Sequence, residues 1–113
     1  MKNAVNQRDT LLAQFENLSR LEKWQEAEKA LRECMSLGLI YGADFNLSLA
    51  MLAWRKAAAD EARSLLQDGP MEIEALRREL SSRFEPFVVD WMLCECSALR
   101  LNKAGGQFFV EVE

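Results

Sequence analysis

The chain has 113 residues, half of them hydrophobic, with a formal net charge of −4 and an isoelectric point near 5.0. This composition supports one folded domain with a substantial core and argues against global disorder. Its basic residues are interleaved with acids instead of forming the basic patch that phosphates require, so we expect no nucleic-acid partner.

The N-terminus has no long apolar core of the kind found in secretory signals, and no apolar run approaches the ~18 residues of a membrane helix. Cys34, Cys94 and Cys96 make an odd cysteine count, which favours reduced thiols. We therefore expect a cytoplasmic protein without membrane insertion.

Histidine is absent, which removes the commonest general base and metal ligand. On a helix, Cys94 and Cys96 would point in nearly opposite directions and would not converge on a metal ion. The sequence also has no glycine-rich phosphate loop, nucleophile elbow or HExxH motif. We expect no catalytic residues, no cofactor and no metal site, with a small enzyme as the less favoured alternative.

The N-terminal part predicts two helices, the first over residues 4–20 and the second within Leu21–Leu37. On the second, bulky residues such as Trp24 and Leu31 alternate with small ones, a pattern that lets another helix approach closely. Gly38 is expected to end this helix as its C-terminal cap residue.

The middle of the chain predicts a third helix over Phe45–Arg55, with Asp44 as its N-cap. A helical segment running on to residue 67 is long for a globular protein, so we place a break at 56–60 and a fourth helix over 58–67. Gly69-Pro70 is then expected to end that helix and to begin the next one with proline at its first position.

The C-terminal part predicts a fifth helix over 71–84, which stops at Glu85-Pro86, and a sixth over 87–102. The sixth is apolar nearly all round, so it lies in the core or is covered by another chain. After Gly105-Gly106 the residues become β-prone. A single strand has no partner in a helical chain, so we expect the tail to dock loosely or to pair with another molecule.

The predicted fold is thus all-α, with about six helices in two to three antiparallel hairpins. Residues 1–104 form one helical domain and residues 105–113 a short β-prone tail. Within that domain, the strings QEAEKAL and DEARSLL align with Ala27 and Ala62 in equivalent positions 35 residues apart. A period near 34 residues with two helices per unit is typical of tetratricopeptide repeats.

Over residues 11–67 the chain therefore resembles the tetratricopeptide repeat family, the alternative being a non-repetitive helical bundle. The resemblance implies stacked hairpins with a concave face that cradles a helix or a peptide. The predicted partner-binding residues lie on the first helix of each hairpin, on the sixth helix and in the tail: Leu18, Asn46, Leu49, Ala53, Trp54, Trp91, Phe108 and Phe109.

In its size, acidity, degenerate repeats and apolar last helix, the chain also resembles the small tetratricopeptide-like chaperones of type III secretion. That resemblance implies a protein-binding module that holds an aggregation-prone helical client, a needle or secreted subunit, sometimes together with a small co-chaperone. The alternative function is a regulatory or structural adaptor, a possible homodimer formed through the sixth helix and the tail.

Overall fold

The computed structural model describes residues 2–113, with side chains from Asn6 onward. The chain divides into two compact units, with the boundary between Ala53 and Trp54. The elements in chain order are α1 (Lys2–Arg20), α2 (Trp24–Ser36), α3 (Gly42–Leu65), β1 (Met71–Glu72), α4 (Ile73–Ser81), α5 (Pro86–Cys94), β2 (Leu99–Ala104) and β3 (Gln107–Val112). Helix α3 contributes its first half to the first unit and its second half to the second unit.

The all-α prediction is wrong, because residues 2–113 contain an antiparallel three-stranded sheet of order β1-β3-β2 beside five helices. The predicted sixth helix ends at Cys94, and its last residues form β2 instead. The cause is the Gly105-Gly106 turn, where φ values of +59° and +80° suit a two-residue hairpin. This turn folds β2 back onto β3, so the tail pairs within its own chain.

The predicted break at 56–60 is also wrong, because α3 runs without interruption from Gly42 to Leu65. Residues 56–60 contain neither glycine nor proline, and Ala58 and Ala59 are buried, so packing favours a continuous helix. The second helical hairpin of the predicted repeat is therefore not formed. Asp44 lies in the first turn of α3 and is not its N-cap.

The first unit is built on the α1–α2 hairpin, whose two helices the sequence predicted correctly. The core cluster of this unit consists of Phe15, Ala27, Ala30, Leu31 and Leu52. The buried Ser19 hydroxyl donates a hydrogen bond of 2.7 Å to the Phe15 carbonyl, which satisfies a polar group inside this core.

The end of α2 confirms the predicted role of Gly38, whose φ is +70°. The Gly38 amide donates to the Met35 carbonyl and the Leu39 amide to the Cys34 carbonyl, both over 3.0 Å. This pair of hydrogen bonds is the Schellman motif, which needs a left-handed residue that glycine adopts without steric cost.

The second unit packs α4 and α5 with the sheet. Glu72 caps α4 by accepting a hydrogen bond of 3.0 Å from the Ala75 amide, and Pro86 occupies the first turn of α5. Gly69-Pro70 precedes β1 and not a helix, contrary to the prediction. The buried residues of α4, α5 and β3 are Leu76, Leu80, Val88, Val89, Trp91, Met92 and Val110.

Candidate protein-binding surface

A pocket of about 230 Å³ opens on the surface of the second unit. Trp54 from α3, Phe84 from the α4–α5 connection and Val88 from α5 supply its apolar lining. Arg83 and Glu85 supply its polar lining. The local sequence explains the position of Phe84, because Glu85-Pro86 ends one helix and starts the next immediately after it.

Two exposed aromatic side chains mark this part of the surface. The rings of Trp54 and Phe87 meet edge to face, with centroids 5.8 Å apart and an interplanar angle of 66°. Trp54 is 41% exposed and Phe87 is 49% exposed, although each carries a large apolar ring. The edge-to-face contact holds both rings in place while leaving much of their area in water.

The polar lining of the pocket carries both signs of charge. Arg83 donates a hydrogen bond of 2.5 Å from Nη1 to Glu61 Oε1, so its guanidinium is held at this position. Glu85 adds a carboxylate directly after Phe84 in sequence. An apolar pocket with mixed charges beside it resembles the centre and rim of a protein interface.

We call the pocket, together with the Phe87 ring that contacts Trp54 beside it, the Trp54–Phe87 site. It contains one predicted residue, Trp54, and several that the sequence analysis missed. Phe84, Phe87 and Val88 were assigned only to helices. The usable signal was the pair of phenylalanines that flank Glu85-Pro86, because this dipeptide ends one helix and begins the next and so places both rings at the connection.

The remaining predicted residues do not come together at one site. Leu18 and Leu49 are half-buried and pack against the core cluster of the first unit. Asn46 and Ala53 are exposed on α3. Trp91 is only 7% exposed, so its side chain belongs to the core of the second unit and not to its surface.

Trp91 has a structural role in the second unit. The guanidinium of the buried Arg55 lies 4.9 Å from the centroid of its ring. A buried cation over an indole face is a favourable arrangement, because the ring quadrupole compensates part of the lost hydration.

The two faces of the β2–β3 hairpin differ in character. One face carries Phe108 and Val112 of β3 and Leu101 of β2, all exposed, around the buried Val110. Phe109 lies on the other face and is half-buried. We call the first face the apolar hairpin face.

The opposite face carries a polar cluster. Arg100 lies directly across from Glu111 and donates a hydrogen bond of 2.9 Å from Nε to its carboxylate, and Asn102 also donates to Glu111. The hydrogen bond from Arg100 has the larger effect and the one from Asn102 the smaller, and together they hold the pKa of Glu111 below its usual range. The same hydrogen bond raises the pKa of Arg100.

Within the part of the chain that the structure describes, no three Cys, Asp or Glu side chains form a group that could hold a metal ion. Nor does any helix within residues 2–113 combine the length and apolar character needed to cross a membrane.

Comparisons with protein-family models, with curated proteins and with solved structures find no match to this chain.

Proposed function

We propose that this chain is a protein-binding module without a catalytic role, and that its Trp54–Phe87 site holds an apolar helical segment of a partner protein. The supporting observation is the exposed pair of aromatic rings beside an apolar pocket. Contiguous exposed apolar surface of this kind marks interaction sites on folded proteins. Tryptophan and arginine, both present here, are also enriched among the residues that dominate interface energies.

The size of the pocket favours a protein side chain as its occupant. At about 230 Å³ it is smaller than the roughly 300–1,000 Å³ of typical small-molecule sites. It suits one large apolar side chain from a partner. The free edge of Phe87 offers a second contact beside it.

An amphipathic helix supplies both contacts at once. Its apolar residues recur at i and i+3 or i+4, so one side chain enters the pocket while the next packs on Phe87. Arg83 and Glu85 then lie where the polar flank of such a helix passes. The binding surface is not a concave groove of stacked hairpins, because the second hairpin is not formed.

A narrower assignment is a cytoplasmic type III secretion chaperone with a needle or secreted subunit as client, sometimes with a small co-chaperone. This proposal rests on the sequence resemblance alone. It adds the expectation that the client is aggregation-prone and is kept soluble by the complex.

The experiment is a selection from a phage-displayed library of amphipathic helices on the wild-type chain. Counter-selection on the Trp54→Ala/Phe87→Ala double variant removes peptides that bind elsewhere. We expect enriched peptides to carry large apolar residues at i and i+3 or i+4. A selection that enriches no peptide, or only peptides that bind both proteins equally, overturns the proposal.

The alternative function, a homodimeric regulatory or structural adaptor, is favoured by a different observation. Strand β2 lies at the edge of the sheet, with β3 as its neighbour on one side.

A further inference from the structure

The backbone of β2 presents an ordered row of hydrogen-bonding groups along the free edge of the sheet. The Glu113 amide donates to the Ala98 carbonyl over 2.8 Å, which fixes Ala98 as a residue that faces β3. In an antiparallel pair such residues alternate with residues whose amide and carbonyl point away. The outward groups of β2 therefore belong to Leu99, Leu101 and Lys103.

We propose that β2 pairs antiparallel with β2 of a second copy of this chain, around a two-fold axis at Leu101. An axis perpendicular to the sheet keeps the apolar hairpin face of both copies on one side. Leu101 then pairs with Leu101 of the second copy, and Leu99 pairs with Lys103 of the second copy in each direction. Each of these three pairs exchanges two hydrogen bonds, about six in all.

The charges of β2 select this arrangement. With the axis at Arg100 or at Lys103, that residue would lie directly opposite the same residue of the second copy. Two like charges in a directly opposed pair are unfavourable. With the axis at Leu101, Arg100 faces Asn102 of the second copy and Lys103 faces Leu99 of the second copy. An axis at Asn102 also avoids like charges, but it uses only about four hydrogen bonds and leaves Leu101 opposite a lysine.

The side chains on the apolar hairpin face also favour a second copy as the partner. Leu101 is 53% exposed and lies at the axis, with Phe108 and Val112 of the neighbouring strand exposed on the same face. Pairing two copies joins these residues into one apolar strip and removes Leu101 from water. A second copy therefore matches this face in backbone polarity, side-chain chemistry and charge.

Lysine on an edge strand commonly disfavours the addition of another strand, and Lys103 is such a residue. Here its ammonium lies over the ring of Phe108 in the same chain, 5.7 Å from the centroid. In the proposed register it stays in this position and meets no second cation. The dimer is small, so we expect half-association at a concentration on the order of 100 µM.

The test uses sedimentation velocity on the full chain from about 1 µM to about 1 mM. We expect reversible dimerisation of the wild type. Leu101→Lys and Leu101→Glu should each be monomeric, and an equimolar mixture of the two should dimerise again, because position 101 faces itself. The matched control Ala104→Lys adds the same charge to β2 opposite a neutral residue, and should keep the dimer within about threefold of the wild-type affinity.

A monomeric wild type at the highest concentration overturns the proposal. So does a dimer that persists in both Leu101 variants, or a mixture that fails to associate while circular dichroism shows each variant folded. Phe87→Ala should leave the dimer unchanged, because the Trp54–Phe87 site takes no part in it. A failure of peptide binding and a failure of dimerisation are therefore separate results.

Discussion

The rings of Trp54 and Phe87 meet edge to face at 5.8 Å, yet each is more than 40% exposed. A contact of this kind contributes only about 0.5–1.5 kcal/mol beyond area burial. The edge-to-face contact itself therefore adds little to the stability of the second unit compared with the buried leucines of α4. Its exposed area remains available to a partner.

Removing this contact should change binding more than stability. Because Phe87 is only half-buried, we expect Phe87→Ala to lower the free energy of unfolding by about 1–2 kcal/mol, which includes the ring contact and the lost burial. Leu80→Ala, at a position with no exposed area, should cost about 2–5 kcal/mol because it leaves a cavity. Urea unfolding of both variants measures the difference. Equal losses would show that Phe87 is a core residue.

The continuity of α3 can be tested with proline. Ala57→Pro falls within the predicted break but inside the observed helix, so we expect a loss of about 3 kcal/mol or more. The matched control is Gly42→Pro at the first position of α3, where proline suits the helix and should cost little. If the same denaturation assay shows that proline is tolerated at position 57, the helix is interrupted there and the continuity of α3 is contradicted.

The close packing at Ala27 predicts a penalty for added volume. Ala27 has no exposed area in the core cluster of the first unit, and Ala27→Leu should lower stability by about 1–3 kcal/mol. Ala13→Leu makes the same change at an exposed position of α1 and should stay within about 0.5 kcal/mol of the wild type. Similar melting temperatures for the two variants would contradict the packing.

The Arg100–Glu111 pair predicts a pH dependence of the second unit. The folded-state pKa of Glu111 is lowered, so its contribution to stability is present above the unfolded value of about 4.3 and is lost as the pH falls through the folded value. The stability difference between wild type and Glu111→Gln should therefore shrink on acidification. NMR titration of Arg100→Met should show the pKa of Glu111 returning towards its ordinary range.

Cysteine reactivity distinguishes the three thiols. Cys94 is exposed, while Cys34 and Cys96 are buried. Burial also raises the pKa of Cys34, which lowers its thiolate fraction. A thiol reagent should modify one cysteine rapidly in the native protein, and Cys94→Ser should abolish that fast phase. Rapid modification of two or more thiols would mean that Cys34 or Cys96 is accessible to solvent, contrary to their burial.

The sequence predicts those parts of the structure that depend on interactions between residues close together in the chain. It does not predict the parts that depend on contacts between distant residues. The α1–α2 hairpin and the Gly38 cap were predicted because helix periodicity and glycine's left-handed φ act within a few residues. Strand β2 was missed because its residues suit a helix and become a strand only through pairing with β3. The break predicted in α3 was wrong because it rested on the length of the segment alone, whereas the packing of the buried Ala58 and Ala59 keeps the helix continuous.

The Trp54–Phe87 site shows the same limit. Trp54 was predicted as a partner-binding residue from its residue type and its position on a helix. Its neighbours Phe84, Phe87 and Val88 are distant in sequence, and only tertiary packing brings them to it. Sequence patterns identify which residues are apolar, while the fold decides which of them remain exposed together.

The most direct test of a protein-binding role is the affinity of a selected amphipathic peptide for the wild type and for Phe87→Ala, measured by isothermal titration calorimetry. Leu47→Ala, which removes an exposed apolar side chain of α3 outside both proposed surfaces, is the matched control. We expect Phe87→Ala to weaken binding at least tenfold, about 1.4 kcal/mol, and the control to change it less than twofold. Equal affinities of the peptide for wild type and Phe87→Ala would contradict a role for the Trp54–Phe87 site.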